Sequence, residues 1–148
     1  MTNTRTARRL PRERGRAAFC LAALLLAPLI FASVAVADGD PAAGKRVFAR
    51  CQSCHQVGPK ARNLVGPELN GVVGRTSGTA PGYTYSPALK AAAIVWDHDT
   101  IAAFVANPQG VARGTRMTSP GPLRPADVDN LVAYLASFAA DGRAAAAR

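Results

Sequence analysis

Apolar positions recur at helical spacing in only a few short stretches of this chain, and glycine and proline break up the stretches between them. The best-defined pattern lies near the C-terminus. There Val128, Leu131, Val132, Leu135 and Phe138 follow the i, i+3, i+4, i+7 rhythm that gives a helix one apolar face. With Pro125 near its start, this predicts a helix over 125–140. A first helix is expected over 41–53, after Asp40 and with Pro41 at its first position. Short helices are expected over 86–93 and 97–106, the latter opened by Asp97 as N-cap and stopped by Asn107-Pro108. Neither an internal repeat nor an alternating strand pattern is present beyond residue 37. Residues 57–84 are punctuated by Gly58, Pro59, Gly66, Pro67, Gly71, Gly74, Gly78, Pro81 and Gly82 and read as a long loop with turns, and 109–124 read as another. The tail from Asp141 to Arg148 is expected to fray. The expected fold class is all-α, with about four to five short helices and long loops. Such helices bury little apolar surface by themselves, and a loop as long as 57–84 needs something to wrap around.

A different pattern precedes the domain. Residues 1–16 are basic, with Arg5, Arg8, Arg9, Arg12, Arg14 and Arg16, and residues 17–37 are apolar, ending in Ala35-Val36-Ala37. Basic, apolar, then small-x-small is the layout of a secretory signal peptide, so 1–37 is read as a leader and 38–148 as the exported domain, its core at about 38–140. That places the domain on the periplasmic side. The apolar run is also long enough to span a bilayer. An uncleaved leader anchoring the domain to the inner membrane is the alternative; Pro28 and the small-residue exit favour cleavage. The leader changes the meaning of the net charge of +9. Six Arg against one Glu lie in 1–37, leaving three Lys and nine Arg against seven Asp and one Glu in the domain. A modestly basic domain without a Lys/Arg stripe interleaved with aromatics suits an acidic protein partner and gives no reason to expect nucleic acid.

Of three cysteines, Cys20 lies in the leader, where it reads as a small apolar residue, and the other two lie in Cys51-Gln52-Ser53-Cys54-His55. C-x-x-C-H marks covalent haem attachment. Two thiols on one helical turn reach the two vinyl groups, and the next residue offers its imidazole to the iron. The competing readings account for less. Zinc needs four ligands and only His98 lies beyond the motif; a thioredoxin-type pair needs a βαβ context; a plain disulfide leaves His55 unexplained. The methionine downstream of the leader, Met117, sits in a Gly/Pro loop, a poor place for core filler and a good one for a soft neutral sixth ligand. His98, between Asp97 and Asp99 at a helix start, is the other candidate and reads as an exposed cap residue.

With these motifs the sequence resembles class I c-type cytochromes, in the style of mitochondrial cytochrome c and bacterial cytochrome c2. Beyond the haem motif, the resemblance rests on Val65-Gly66-Pro67-Glu68-Leu69-Asn70-Gly71, Gly74-Arg75, Ala80-Pro81-Gly82-Tyr83-Thr84-Tyr85, Trp96, Asn107-Pro108 and Gly114-Thr115-Arg116-Met117. It implies the class I fold wrapped around one haem c, attached through Cys51 and Cys54, with His55 and Met117 as iron ligands. It also implies that the Pro67 carbonyl accepts from His55, that Arg75, Tyr85 and Trp96 surround an inner haem propionate, and that Gly44 and Phe48 cross Leu131 and Tyr134. Several positions depart from the family pattern. Phe48 is one residue closer to Cys51, Phe104 replaces a tyrosine whose hydroxyl meets the methionine sulfur, and Leu89 replaces an asparagine. Arg113 replaces a proline and Ser119 an aromatic, which would leave the Met117 loop less braced. Arg50, Arg116 and Arg124 keep positions of the family's lysine ring, while Gln109 and Leu123 lose charge. The function implied is single-electron transfer rather than catalysis, by a monomer in a respiratory chain. Its partners would be a quinol–cytochrome c reductase or dehydrogenase and a terminal oxidase, reductase or reaction centre, met by weak ionic docking. The alternatives are an enzyme with an open sixth position, and a haem sensor or dedicated dehydrogenase subunit.

Overall fold

A computed structural model of the chain describes residues 39–145; the expected leader lies outside the described residues. Five helices follow one another: α1 Pro41–Phe48, α2 Pro87–Ala91, α3 His98–Ala106, α4 Pro108–Val111 and α5 Pro125–Ala136. Among the described residues there are no strands, only isolated bridges between Thr76 and Val95 and between Phe138 and Ala144. The fold class is all-α, as the patterning requires.

Local chemistry explains where the helices begin. Asp40 caps α1 by accepting from Ala42 N–H, and Ser86 caps α2 by accepting from Leu89 N–H. Asp97 caps α3 in a reciprocal capping box with Thr100. Asn107 ends α3 and, with its side chain on Gly110 N–H, also starts α4, so Asn-Pro stops one helix and opens the next. This single-turn helix falls inside a segment expected to be loop.

Three helices are shorter than their patterns suggest, α2 by three residues and α1 and α5 by more. α1 stops at Phe48 because its hydrogen bonds tighten to i+3 spacing, from Arg50 N to Val47 O (3.1 Å) and Cys51 N to Phe48 O (2.8 Å). Residues 49–54 are consecutive turns instead of helix. α5 stops at Ala136, where the Ser137 hydroxyl donates to Tyr134 O at 2.6 Å. Phe138 thus leaves the helix, yet its ring stays 5.1 Å from that of Tyr134. The chain from Asp141 to Ala145 does not fray. It turns back, with Ala139 N donating to Arg143 O and Ala145 N to Ser137 O, both at 2.9 Å. Gly142 is buried against Gly58.

The core is built around the crossing of α1 and α5, the most extensive helix–helix contact. Phe48 and Leu131 are its most buried large side chains, and the Phe48 and Tyr134 rings lie 5.4 Å apart. The crossing is close because Gly44 carries no Cβ: one there would overlap the Asn130 carbonyl. Around it Leu89, Trp96, Ile101, Phe104 and Leu135 are buried along the wall of a large cavity, and Val128 belongs to the same buried cluster.

Candidate haem site

The cavity has a volume of about 770 Å³, within the range of roughly 300–1,000 Å³ typical of cofactor and ligand sites. Helix α1 and the turns after it deliver one wall. Cys54 N and His55 N both donate to Cys51 O, at 3.1 and 2.9 Å, so both cysteines and the histidine sit on a single tight turn at the cavity wall. Cys51 and Cys54 are half-buried free thiols. Burial raises the Cys51 thiol above its usual value, against the opposing pull of the Arg50 charge. That is the reverse of the lowered thiol expected of a redox-active C-x-x-C pair.

His55 Nδ1 lies 2.7 Å from the Pro67 carbonyl, to which it donates, so Nε2 keeps its lone pair. Burial, partly offset by that hydrogen bond, lowers the His55 pKa below 6.5. Both effects leave a neutral imidazole with one free nitrogen, the form in which histidine binds a metal. Gly66 lies flat against the ring; a Cβ there would overlap Cε1.

Far along the chain, the loop after α4 brings half-buried Met117 to the same cavity. Arg75, Tyr85 and Trp96 line it too. Arg75 is sheltered and held by the Glu68 carboxylate (3.3 Å), the Asn70 carbonyl (2.9 Å) and the Glu68 carbonyl (3.2 Å). Tyr85 accepts from Ala80 N–H at 3.3 Å, which leaves its hydroxyl proton to donate. Pro67 completes the set, lining the cavity and holding His55 by its carbonyl. The eight residues singled out in the sequence therefore meet at one cavity, whereas His98 is outside its lining.

This donor set suits haem. An apolar cavity of that volume carries two thiols on one turn, an unprotonated imidazole nitrogen and a thioether, and a guanidinium and a phenol available to a carboxylate in low dielectric. The cytochrome c family profile matches residues 41–139. The chain is a class I c-type cytochrome. It is 49% identical over 114 residues to cytochrome c-554 of Methylosinus trichosporium, covering 77% of this chain and 86% of the relative. It is 49% identical over 104 residues to cytochrome c2 of Rhodoblastus acidophilus, covering 70% and 97%. Among solved structures, cytochrome c2 from Rhodospirillum centenum superposes with a TM-score of 0.64 at 37% identity, covering 68% of this chain and 99% of that one. Membership brings one covalent haem c, with Cys51 and Cys54 in the attachment motif, and an electron-carrier rather than an enzymatic role.

The Met117 loop of this cytochrome differs from the sequence expectation. Where the expectation has Ser119 only as a lost aromatic brace, its hydroxyl donates to Val105 O at 2.8 Å and accepts from Gly121 N–H at 3.1 Å. Arg50 donates to the carbonyls of Pro120 (2.7 Å) and Pro122 (3.2 Å). Gln109, read only as a lost charge, bonds the loop backbone twice. These pairings were missed because Arg50 and Ser119 reach backbone distant in sequence, and Gln109 reaches backbone five and six residues on in an irregular loop, where no spacing rule marks the pairing.

Proposed function

We propose that this cytochrome is a periplasmic single-electron carrier whose iron is held by His55 and Met117. The observation that carries the reading is the convergence at one cavity of the neutral His55 imidazole, Met117 and the two thiols of Cys51 and Cys54. When bound, haem c supplies an iron that gains and loses one electron. The chain's residues do the rest. His55 presents Nε2 with its orientation fixed by Pro67; Met117 offers a neutral thioether, which favours ferrous iron. Arg75 and Tyr85 supply cationic and O–H partners for a propionate, and Leu89, Trp96 and Phe104 exclude water. Were His55 and Met117 both to hold the iron, no position on it would remain for a substrate.

Export rests on the leader, with cleavage after Ala37 to give a mature chain beginning Asp38-Gly39-Asp40; among the described residues no helix is long and apolar enough to cross a membrane. The donor and acceptor implied by family likeness are a quinol–cytochrome c reductase or dehydrogenase and a terminal oxidase, reductase or reaction centre.

Denaturing mass spectrometry of the purified protein should show the polypeptide from Asp38 plus one haem, and absorption spectra of both oxidation states should be low-spin and six-coordinate. A haem released by acid–acetone, or a five-coordinate high-spin spectrum, would overturn the attachment or the ligation respectively; the second would favour an open-site enzyme.

A further inference from the structure

Gln109 is the second residue of α4. In this chain its amide works inward on the backbone. Oε1 accepts from Gly114 N–H at 3.0 Å, and Nε2 donates to Thr115 O at 2.6 Å. One primary amide thus satisfies a donor and an acceptor on adjacent residues, two and three positions before Met117. Thr115 is buried, its N–H donates to Ala112 O at 2.9 Å, and its hydroxyl oxygen lies 3.4 Å from Met117 N. The approach to Met117 is therefore pinned at Gly114 and Thr115, while Ser119 and Arg50 pin the departure. Gly114, at φ +93°, occupies the backbone region open mainly to glycine, as Gly121 does at φ +91° on the other side of Met117, so no side chain of its own limits its rotation.

We propose that Gln109 is a positioning residue that holds the methionine loop in its ligating geometry through its two bonds to the backbone at Gly114 and Thr115; the proposal rests on Met117 being the sixth ligand. The two hydrogen bonds limit rotation about Gly114, so the thioether stays near the iron when bonding is weakest, in the ferric state. A pair of partly solvated hydrogen bonds is enough to matter, because ligand retention in ferric protein is a balance that small changes tip.

The test is the far-red charge-transfer band that reports ferric iron–thioether bonding, followed against pH in haem-loaded wild type and Gln109→Ala. Guanidinium unfolding of both oxidation states is measured alongside. The expected result is a band present in both at neutral pH, with its midpoint of loss lower by about one pH unit in the variant, a tenfold weaker retention, and little change in ferrous unfolding. A wild-type band whose midpoint does not move in Gln109→Ala overturns the clamp and leaves the ligation intact. Loss of stability to the same extent in both oxidation states reduces Gln109 to a general structural contact and also overturns it. Absence of the band from wild type overturns the ligation by Met117 and the clamp with it. If the alanine variant fails to mature, Gln109→Glu, which fills the same space but cannot donate to Thr115 O, is read by the same criteria.

Discussion

The His55 imidazole is oriented by one hydrogen bond and by one missing side chain. Pro67 accepts from Nδ1, fixing the tautomer, and Gly66 lets the backbone lie against the ring face. A methyl group at residue 66 has nowhere to go, because the atoms it meets belong to a ring that is itself tied to Pro67. Gly66→Ala is therefore expected to destabilise the loaded protein by about 1–3 kcal/mol, the scale of overpacking a tight contact. It should also lower the fraction of chains carrying haem, as measured by haem absorbance per polypeptide. Unchanged loading and an unchanged ferric spectrum would mean that the loop yields without disturbing the imidazole. The same reasoning separates Phe104 from the cavity's polar groups. It is buried, its ring centroid 4.9 Å from that of Trp96, so it shapes the cavity wall while offering no hydrogen-bond donor.

At the scale of elements, two effects compete at Gly44. Alanine would gain about 1 kcal/mol of intrinsic helix preference in α1. Its Cβ would meet the backbone of Asn130 and Cβ of Tyr134, and backbone cannot rotate away as a flexible side chain can. Separating α1 from α5 exposes the contact around Phe48 and Leu131, so the loss wins. Gly44→Ala should lower the thermal midpoint by several degrees, since about 1 kcal/mol corresponds to ~4–8 °C in a domain of this size. A second link between elements depends on pH. His98, at the start of α3, places Nδ1 2.8 Å from Asp99 and Nε2 2.8 Å from Asp129 on α5. Hydrogen bonds to Asp99 and then Asp129 raise its pKa above 6.5. Only the protonated ring donates from both nitrogens, so its stabilisation is complete below 6.5 and lost as pH rises through the raised value. The site is half-exposed, and surface pairs of this kind contribute about 0.2–1 kcal/mol. His98→Gln should therefore cost stability at pH 5.5 and little at pH 9, read by denaturant unfolding; equal costs at both would show that charge plays no part. These elements also show what the sequence reveals. The buried face of α5 was legible because Val128, Leu131, Val132 and Leu135 all meet one core, and the haem motif was legible because attachment chemistry is local in sequence. The early end of α1, the single turn of α4 and the returning tail were not, since each depends on which carbonyl a given N–H finds, a choice that hydrophobic periodicity does not encode.

Taken whole, the molecule presents an uneven rim around its cavity. Arg50 and Arg116 line it and are exposed, each fastened to backbone carbonyls, Arg116 to that of Thr84. Leu64 and Val65, 39% and 76% exposed, supply apolar surface on the same rim. Arg124 is different: its guanidinium forms two 2.8 Å bonds to the Asp127 carboxylate, and the pair is close to neutral at a distance. Docking by a negatively charged redox partner should therefore draw on Arg50 and Arg116 at the rim and little on Arg124, which is outside the cavity lining and ion-paired. Two charges about 8 Å apart in water attract by about 0.5 kcal/mol, slightly more than a factor of two in rate, and this is largely screened at physiological ionic strength. Electron-transfer rates with an acidic redox protein should fall as salt rises. Arg116→Gln should lower the low-salt rate by about twofold and converge with wild type at high salt. Removing Arg124 and Asp127 together should leave the whole profile nearly unchanged, because charge is removed in balance. Stopped-flow rates across a salt series make the comparison. A flat wild-type profile would mean that the apolar contact at Leu64 and Val65 governs docking instead of charge, and a large effect of the double substitution would mean that the Arg124–Asp127 pair opens to meet the partner.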